Sequence, residues 1–130
     1  MKILVGYDRS KASESALNHA QKHGQVFNAE VHVVTSLEQA ATLKKEDIDK
    51  AENQLEKVKK PFKEAGIECQ VHTSVSYQSA GEDIVRFAKE NDIDQIIVGV
   101  HRRSKVGKLV TGSTAQYVIL NAPCPVLSVK

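Results

Sequence analysis

Twice this chain drives a short, unbroken apolar run into a glycine: Ile3-Leu4-Val5 before Gly6, and Ile96-Ile97-Val98 before Gly99. A strand with one wet face alternates apolar and polar residues, so an unbroken run implies burial on both faces, as in a parallel strand with helices above and below. That requirement places the chain in the α/β class, and the remaining segments are read for helices able to supply the cover. With 130 residues there is enough chain for one core and too little for two, which predicts a single domain over 1–130.

The alternation is regular. Lys2 to Asp8 reads as the first strand, and Ser10 is an N-cap for a helix whose Ala12, Ala16, Leu17 and Ala20 recur at helical spacing until His23-Gly24. Glu30 to Ser36 is a β-branched second strand. From Lys45 to Ala65, the residues Ile48, Ala51, Leu55, Val58, Phe62 and Ala65 form one apolar helical face, and Pro61 predicts a kink or restart near Lys60. Gly66 ends this helix, and Ile67 to Val75 alternates as an edge strand does. Ser79-Ala80-Gly81-Glu82 has the form of a capping box opening a helix to about Asn91. Asp94 to Gly99 is the fourth strand. A last helix begins at Gly112 or Ser113, buries Ala115, Val118 and Ile119, and is stopped by Pro123 and Pro125 before a final strand, Val126 to Val129. Five strands and four helices in strict alternation predict an open, Rossmann-like, five-stranded parallel sheet with right-handed crossovers, helices on both faces and strand order 3-2-1-4-5. In that order Gly6-Tyr7-Asp8 and Gly99 lie side by side at the carboxyl ends of the strands.

The stretch from Gln95 to Ser113 carries most of the chemistry. A buried strand ends in Gly99, a loop bears Arg102, Arg103, Lys105 and Lys108, and Gly112-Ser113 starts a helix. Exposed backbone N–H groups and the positive helix end favour phosphate there. Other chemistries find less support. Eighteen basic against 16 acidic residues, net +2, is too small an excess for a nucleic-acid binder, and no aromatics interleave the cations. His19 and His23 are four apart but lack a third ligand, and Cys69 and Cys124 show no metal or redox spacing. Val106-Gly107-Lys108-Leu109 fails as a phosphate loop of the GxxxxGK[ST] type, because Arg102 stands at its first glycine and Leu109 cannot hold Mg²⁺. No nucleophile has an assignable base, so no enzyme activity is expected. No run is long and apolar enough to span a membrane and no signal-peptide pattern appears, which predicts a cytoplasmic protein.

An N-terminal strand ending in Asp8 before Ser10, the pair His32-Val33, the spacing of Gly99 to Gly112-Ser113, and the closing Ala122-Pro123-Cys124-Pro125-Val126-Leu127 together resemble the universal stress protein family over essentially the whole chain. The resemblance implies a homodimer formed through the last strand and, in one branch, ATP held by a G-x2-G-x9-G-[ST] motif. A second branch binds no ATP. Carried over position by position, it implies Asp8 near the ribose and phosphates, Val33 at the adenine with Gly6 and Tyr7 on the same edge, and Gly99, Gly112, Ser113 and the adjoining Thr114 at the phosphates. The second glycine of the motif is Arg102 here. Its guanidinium either closes the site or replaces backbone recognition by charge. The expected function is therefore a regulatory protein holding ATP or AMP, with Mg²⁺ accompanying ATP, and acting on a protein partner through ligand-dependent order in Val100 to Thr111. The alternatives are a nucleotide-free dimeric interaction protein and, more weakly, a slow nucleotidase.

Overall fold

Parallel pairing along the whole sheet organises the molecule, whose computed structural model describes residues 1–38, 41–100 and 112–130. The elements run β1 (Lys2–Gly6), α1 (Lys11–Phe27), β2 (Glu30–Glu38), α2 (Lys45–Glu64), β3 (Cys69–Ser76), α3 (Ala80–Glu90), β4 (Gln95–Gly99), α4 (Ser113–Asn121) and β5 (Val126–Val129). The strand order is β3-β2-β1-β4-β5, with every neighbouring pair parallel. The unbroken apolar runs are central, as their composition requires: Ile3, Leu4 and Val5 of β1 and Ile96 and Ile97 of β4 are inaccessible to solvent. The alternating segment, β3, lies at an edge.

Two cores flank the sheet. Ile3, Val5, Val31, Val33 and Ile97 point to the face covered by Ala16, Leu17 and Ala20 of α1 and Leu55 and Phe62 of α2. Leu4, Val34, Ile96 and Val98 point to the opposite face, under Ile84, Val85 and Ala88 of α3 and Ala115 and Val118 of α4. The free thiols follow the same division, with Cys69 in the first core and Cys124 against the second. On the second face buried His32 stacks on His72 at 5.3 Å between ring centroids, with Phe87 against both.

Three local features differ from the sequence expectation. Helix α1 does not stop at Gly24 but continues to Phe27, where Asn28 takes the left-handed conformation (φ 51°) and caps it. Gly24 is interior because a β-carbon there would press on Ile67 and Val31 at 3.2–3.4 Å. Helix α2 does not restart near Lys60 but is a single element through Pro61, which sits in its last turn, where little helix follows the missing N–H. At the start of α3, Ser79 Oγ accepts from the Glu82 amide, but the Glu82 carboxylate accepts from the Ser79 hydroxyl (3.1 Å) instead of closing a reciprocal capping box.

Candidate functional site

The carboxyl ends of β1 and β4 diverge to opposite-side connections, and the opening left between them is a cleft of about 420 Å³, within the range of small-molecule sites. Gly6, Tyr7 and Asp8 line it from β1, Val98 and Gly99 from β4, and Gly112, Ser113 and Thr114 from the start of α4. All of these but Val98 are residues singled out in the sequence, brought together from positions about a hundred apart. Arg102 and the other cations of its loop lie outside the described residues.

Three helices begin at this cleft, and their first turns differ in charge. At α1, Ser10 Oγ accepts from the Ser13 amide (3.1 Å), Ser13 Oγ donates back to the Ser10 carbonyl (2.9 Å), and Glu14 adds an acid. The turn before it is held by the Asp8 carboxylate, which accepts from the Ser10 amide at 3.0 Å. At α3, Ser79 caps and Glu82 and Asp83 both lie in the first turn. At α4 the N-cap is Gly112, no side chain caps the end, and the first turn holds no acid. A capped and acid-bearing helix start has its amides engaged and its partial positive charge offset. Among the described residues α4 alone keeps both available, so an anion in the cleft is best held over β4.

Strand β2 forms the opposite wall through Val34 and Ser36. Val33 is in the same strand, but its side chain is inaccessible and packs in the α1/α2 core. Ser36 is a wall residue that sequence reasoning did not single out. Its hydroxyl donates to Asp83 Oδ2 at 2.8 Å, and Asp83 is buried with 2% exposure. The carboxylate also accepts from Ser76 Oγ (2.8 Å to Oδ1) and from Arg86 Nη2 (2.8 Å), so its charge is paired and its lone pairs are engaged.

Tyr7 closes the inner edge. Its amide donates to the Val34 carbonyl (2.9 Å), its carbonyl accepts from Thr35 Oγ1 (2.9 Å), and its phenol donates to Glu14 Oε1 at 2.7 Å. Burial, reinforced by Glu14, pushes the phenol up to about 12. A second cavity of about 360 Å³ lies beyond Tyr7, between α1 and α2, with Glu14, Gln54 and Lys57 in its wall.

The two strand-end glycines have packing reasons of their own. A β-carbon on Gly99 would come within 2.5 Å of the Ala12 carbonyl carbon, so glycine is what allows the first turn of α1 to lie on β4. On Gly6 it would meet only the flexible end of Ile84 at 2.7 Å. Gly112 has an ordinary φ of −58°, so its value lies in an uncapped, open helix start and not in backbone freedom. Among the described residues no group of three His, Cys, Asp or Glu side chains is placed to hold a metal ion, and no helix is long and apolar enough to cross a membrane.

The comparison with known proteins agrees with this architecture. A model of the Universal stress protein family matches residues 1–130. The chain is 33% identical to Universal stress protein MJ0531 of Methanocaldococcus jannaschii, over 99% of this chain and 81% of that protein. Among solved structures it resembles a universal stress protein from Archaeoglobus fulgidus, with a TM-score of 0.86 and 34% identity over 100% of this chain and 93% of that one. It also resembles the structure of the universal stress protein from Archaeoglobus fulgidus in complex with dAMP, with a TM-score of 0.82 and 31% identity over 100% and 98%. The chain belongs to the universal stress protein family.

Proposed function

We propose that this protein is a non-enzymatic regulatory protein that binds an adenine nucleotide, ATP or AMP, in the cleft between β1 and β4, with Mg²⁺ accompanying ATP. The observation that carries this reading is the uncapped, acid-free start of α4 at the floor of a mononucleotide-sized cleft. The dAMP complex of the similar Archaeoglobus protein supports adenine as the base. In this reading Gly112, Ser113 and Thr114 hold phosphate through backbone amides, Asp8 and Gly6 lie beside the sugar, and Arg102 adds charge to the phosphates. Glycine at 99 serves the helix packing on which that arrangement depends. The protein acts as a homodimer joined through β5, an edge strand paired on one side by β4.

The test is to purify the protein without added nucleotide, identify any small molecule released on denaturation by mass, and titrate ATP and AMP into the stripped protein by calorimetry. Micromolar binding, lost in Gly112→Val and weakened in Arg102→Ala more for ATP than for AMP, is the expected result. An empty protein that ignores millimolar ATP would show that Arg102 closes the cleft and would move the function to the dimer surface.

A further inference from the structure

The hydrogen bonds of Ser36 carry more information than its place in the wall. A carboxylate can only accept, so the bond to Asp83 Oδ2 fixes the direction of the Ser36 hydroxyl: its proton points into the protein. Its lone pairs are left to the cleft, and among the described residues nothing donates to them. Asp83 is in turn held by Ser76, whose hydroxyl lies 2.8 Å from Oδ1 and 3.0 Å from Oδ2, and by Arg86 at Oδ1. The wall opposite the anion-binding helix start therefore presents a hydrogen-bond acceptor whose hydroxyl turns toward a ligand only by giving up its bond to the Asp83 carboxylate.

Its position selects which part of a ligand meets it. Ser36 is on β2, two strands from β4, and at about 4.8 Å per strand it stands roughly 10 Å across the sheet from the strand beside the α4 start. With phosphate over β4 and sugar over the end of β1, the group reaching β2 is the base. We propose that Ser36, positioned by Asp83 as a fixed acceptor, selects a 6-amino over a 6-oxo purine, because the exocyclic amine donates to it whereas a carbonyl oxygen would face its lone pairs. This rests on the nucleotide reading above and adds to it the element that reads the base.

The experiment compares AMP with IMP, which differ at that group and at N1, an acceptor in AMP and a donor in IMP, by calorimetry on the wild-type protein and three variants whose folds are checked by circular dichroism. Wild type is expected to favour AMP by about tenfold, the scale of one buried hydrogen bond made or opposed. Ser36→Ala removes the acceptor and brings the ratio close to one, while Ser36→Thr keeps it. Asp83→Asn is the sharper case. Arg86 draws the amide oxygen to the former Oδ1 place, so the amide nitrogen donates to Ser36 and frees its proton toward the cleft. IMP affinity should then rise in absolute terms, an outcome that loss of packing cannot produce. An AMP:IMP ratio unchanged in both Ser36→Ala and Asp83→Asn overturns this inference and leaves nucleotide binding intact. A wild type that binds neither nucleotide overturns the site reading and this inference with it.

Discussion

Replacing Gly99 by alanine separates two reasons for a glycine at the end of a central strand. If the residue is there for the packing of α1, the added methyl must displace helix backbone, for it would lie 2.5 Å from the Ala12 carbonyl carbon and 2.7 Å from its oxygen and β-carbon. Ordinary carbon contacts are near 3.5–4.0 Å, so the overlap is on the order of 1 Å. No rotamer change relieves it. Overpacking of this kind costs about 1–3 kcal/mol, and the rigid neighbour places Gly99→Ala at the upper end, about 3 kcal/mol. With a urea dependence of roughly 1–3 kcal/mol per molar, the unfolding midpoint should fall by about 1–3 M. Gly66→Ala is the control. Gly66 has φ +74° and no atom within 4 Å of an added β-carbon, so it carries only the conformational cost, about 1 kcal/mol. Urea denaturation of the two variants beside wild type decides the matter. The packing account is refuted if Gly99→Ala is no less stable than Gly66→Ala, and a Gly99→Ala protein of wild-type stability that no longer binds nucleotide would assign the glycine to ligand approach instead.

Two further outcomes follow from the structure. Tyr7 holds its phenolic proton up to about pH 12 because it is partly buried and donates to Glu14, whereas an unfolded tyrosine loses its proton near 10; native stability is therefore undiminished by this group below pH 10 and falls as pH rises from 10 through 12, and a phenolate absorbance titration should show a late-ionising tyrosine that Tyr7→Phe removes. In β5 the carbonyls of Pro125 and Val129 face β4, so by alternation the backbone of Ser128 faces outward; Ser128→Pro should keep the fold and convert a micromolar dimer to monomer in sedimentation, and a wild-type monomer would end the β5 interface.

Much of the fold was legible because burial on both faces leaves a plain trace: Ile3-Leu4-Val5 and Ile96-Ile97-Val98 admit few positions other than the centre of a parallel sheet. The same property hid the cleft wall. In β2 both faces are apolar through Val31, Val33 and Val34, so nothing in the residue types tells which parity meets the opening. The sequence reading chose Val33, whose side chain belongs to the α1/α2 core, and passed over Ser36, which lines the cleft two residues before the end of the strand. Gly24 misled for a related reason: a glycine that admits Val31 of β2 and Ile67 of the α2–β3 connection looks, in one dimension, like a helix stop. Asp83 was invisible as a core residue because its partners, Ser36, Ser76 and Arg86, come from β2, β3 and the next turn of α3.

Asp83 also links the two ends of the cleft. As an acid in the first turn of α3 it offsets that helix's partial positive charge, and with Arg86 paired to it the α3 start offers little to a phosphate. The α4 start has neither acid nor cap, and in the proposed reading the contrast between the two helices orients an anionic ligand with its phosphates toward β4. The same carboxylate accepts from the Ser36 hydroxyl at the other end, where the proposed reading puts the base. In the proposed reading, this buried side chain acts with Ser79 and Glu82 on the direction in which a nucleotide enters, and by itself on the group read at its far end. Asp83→Asn should accordingly weaken two properties together, the preference for AMP over IMP and the preference of phosphate for the α4 start. The second is read from whether Gly112→Val still abolishes binding in the Asp83→Asn background. Retained binding in the double variant would mean that the α3 start has become an alternative phosphate site, as the charge argument requires, whereas complete loss would show that phosphate placement depends on α4 geometry alone.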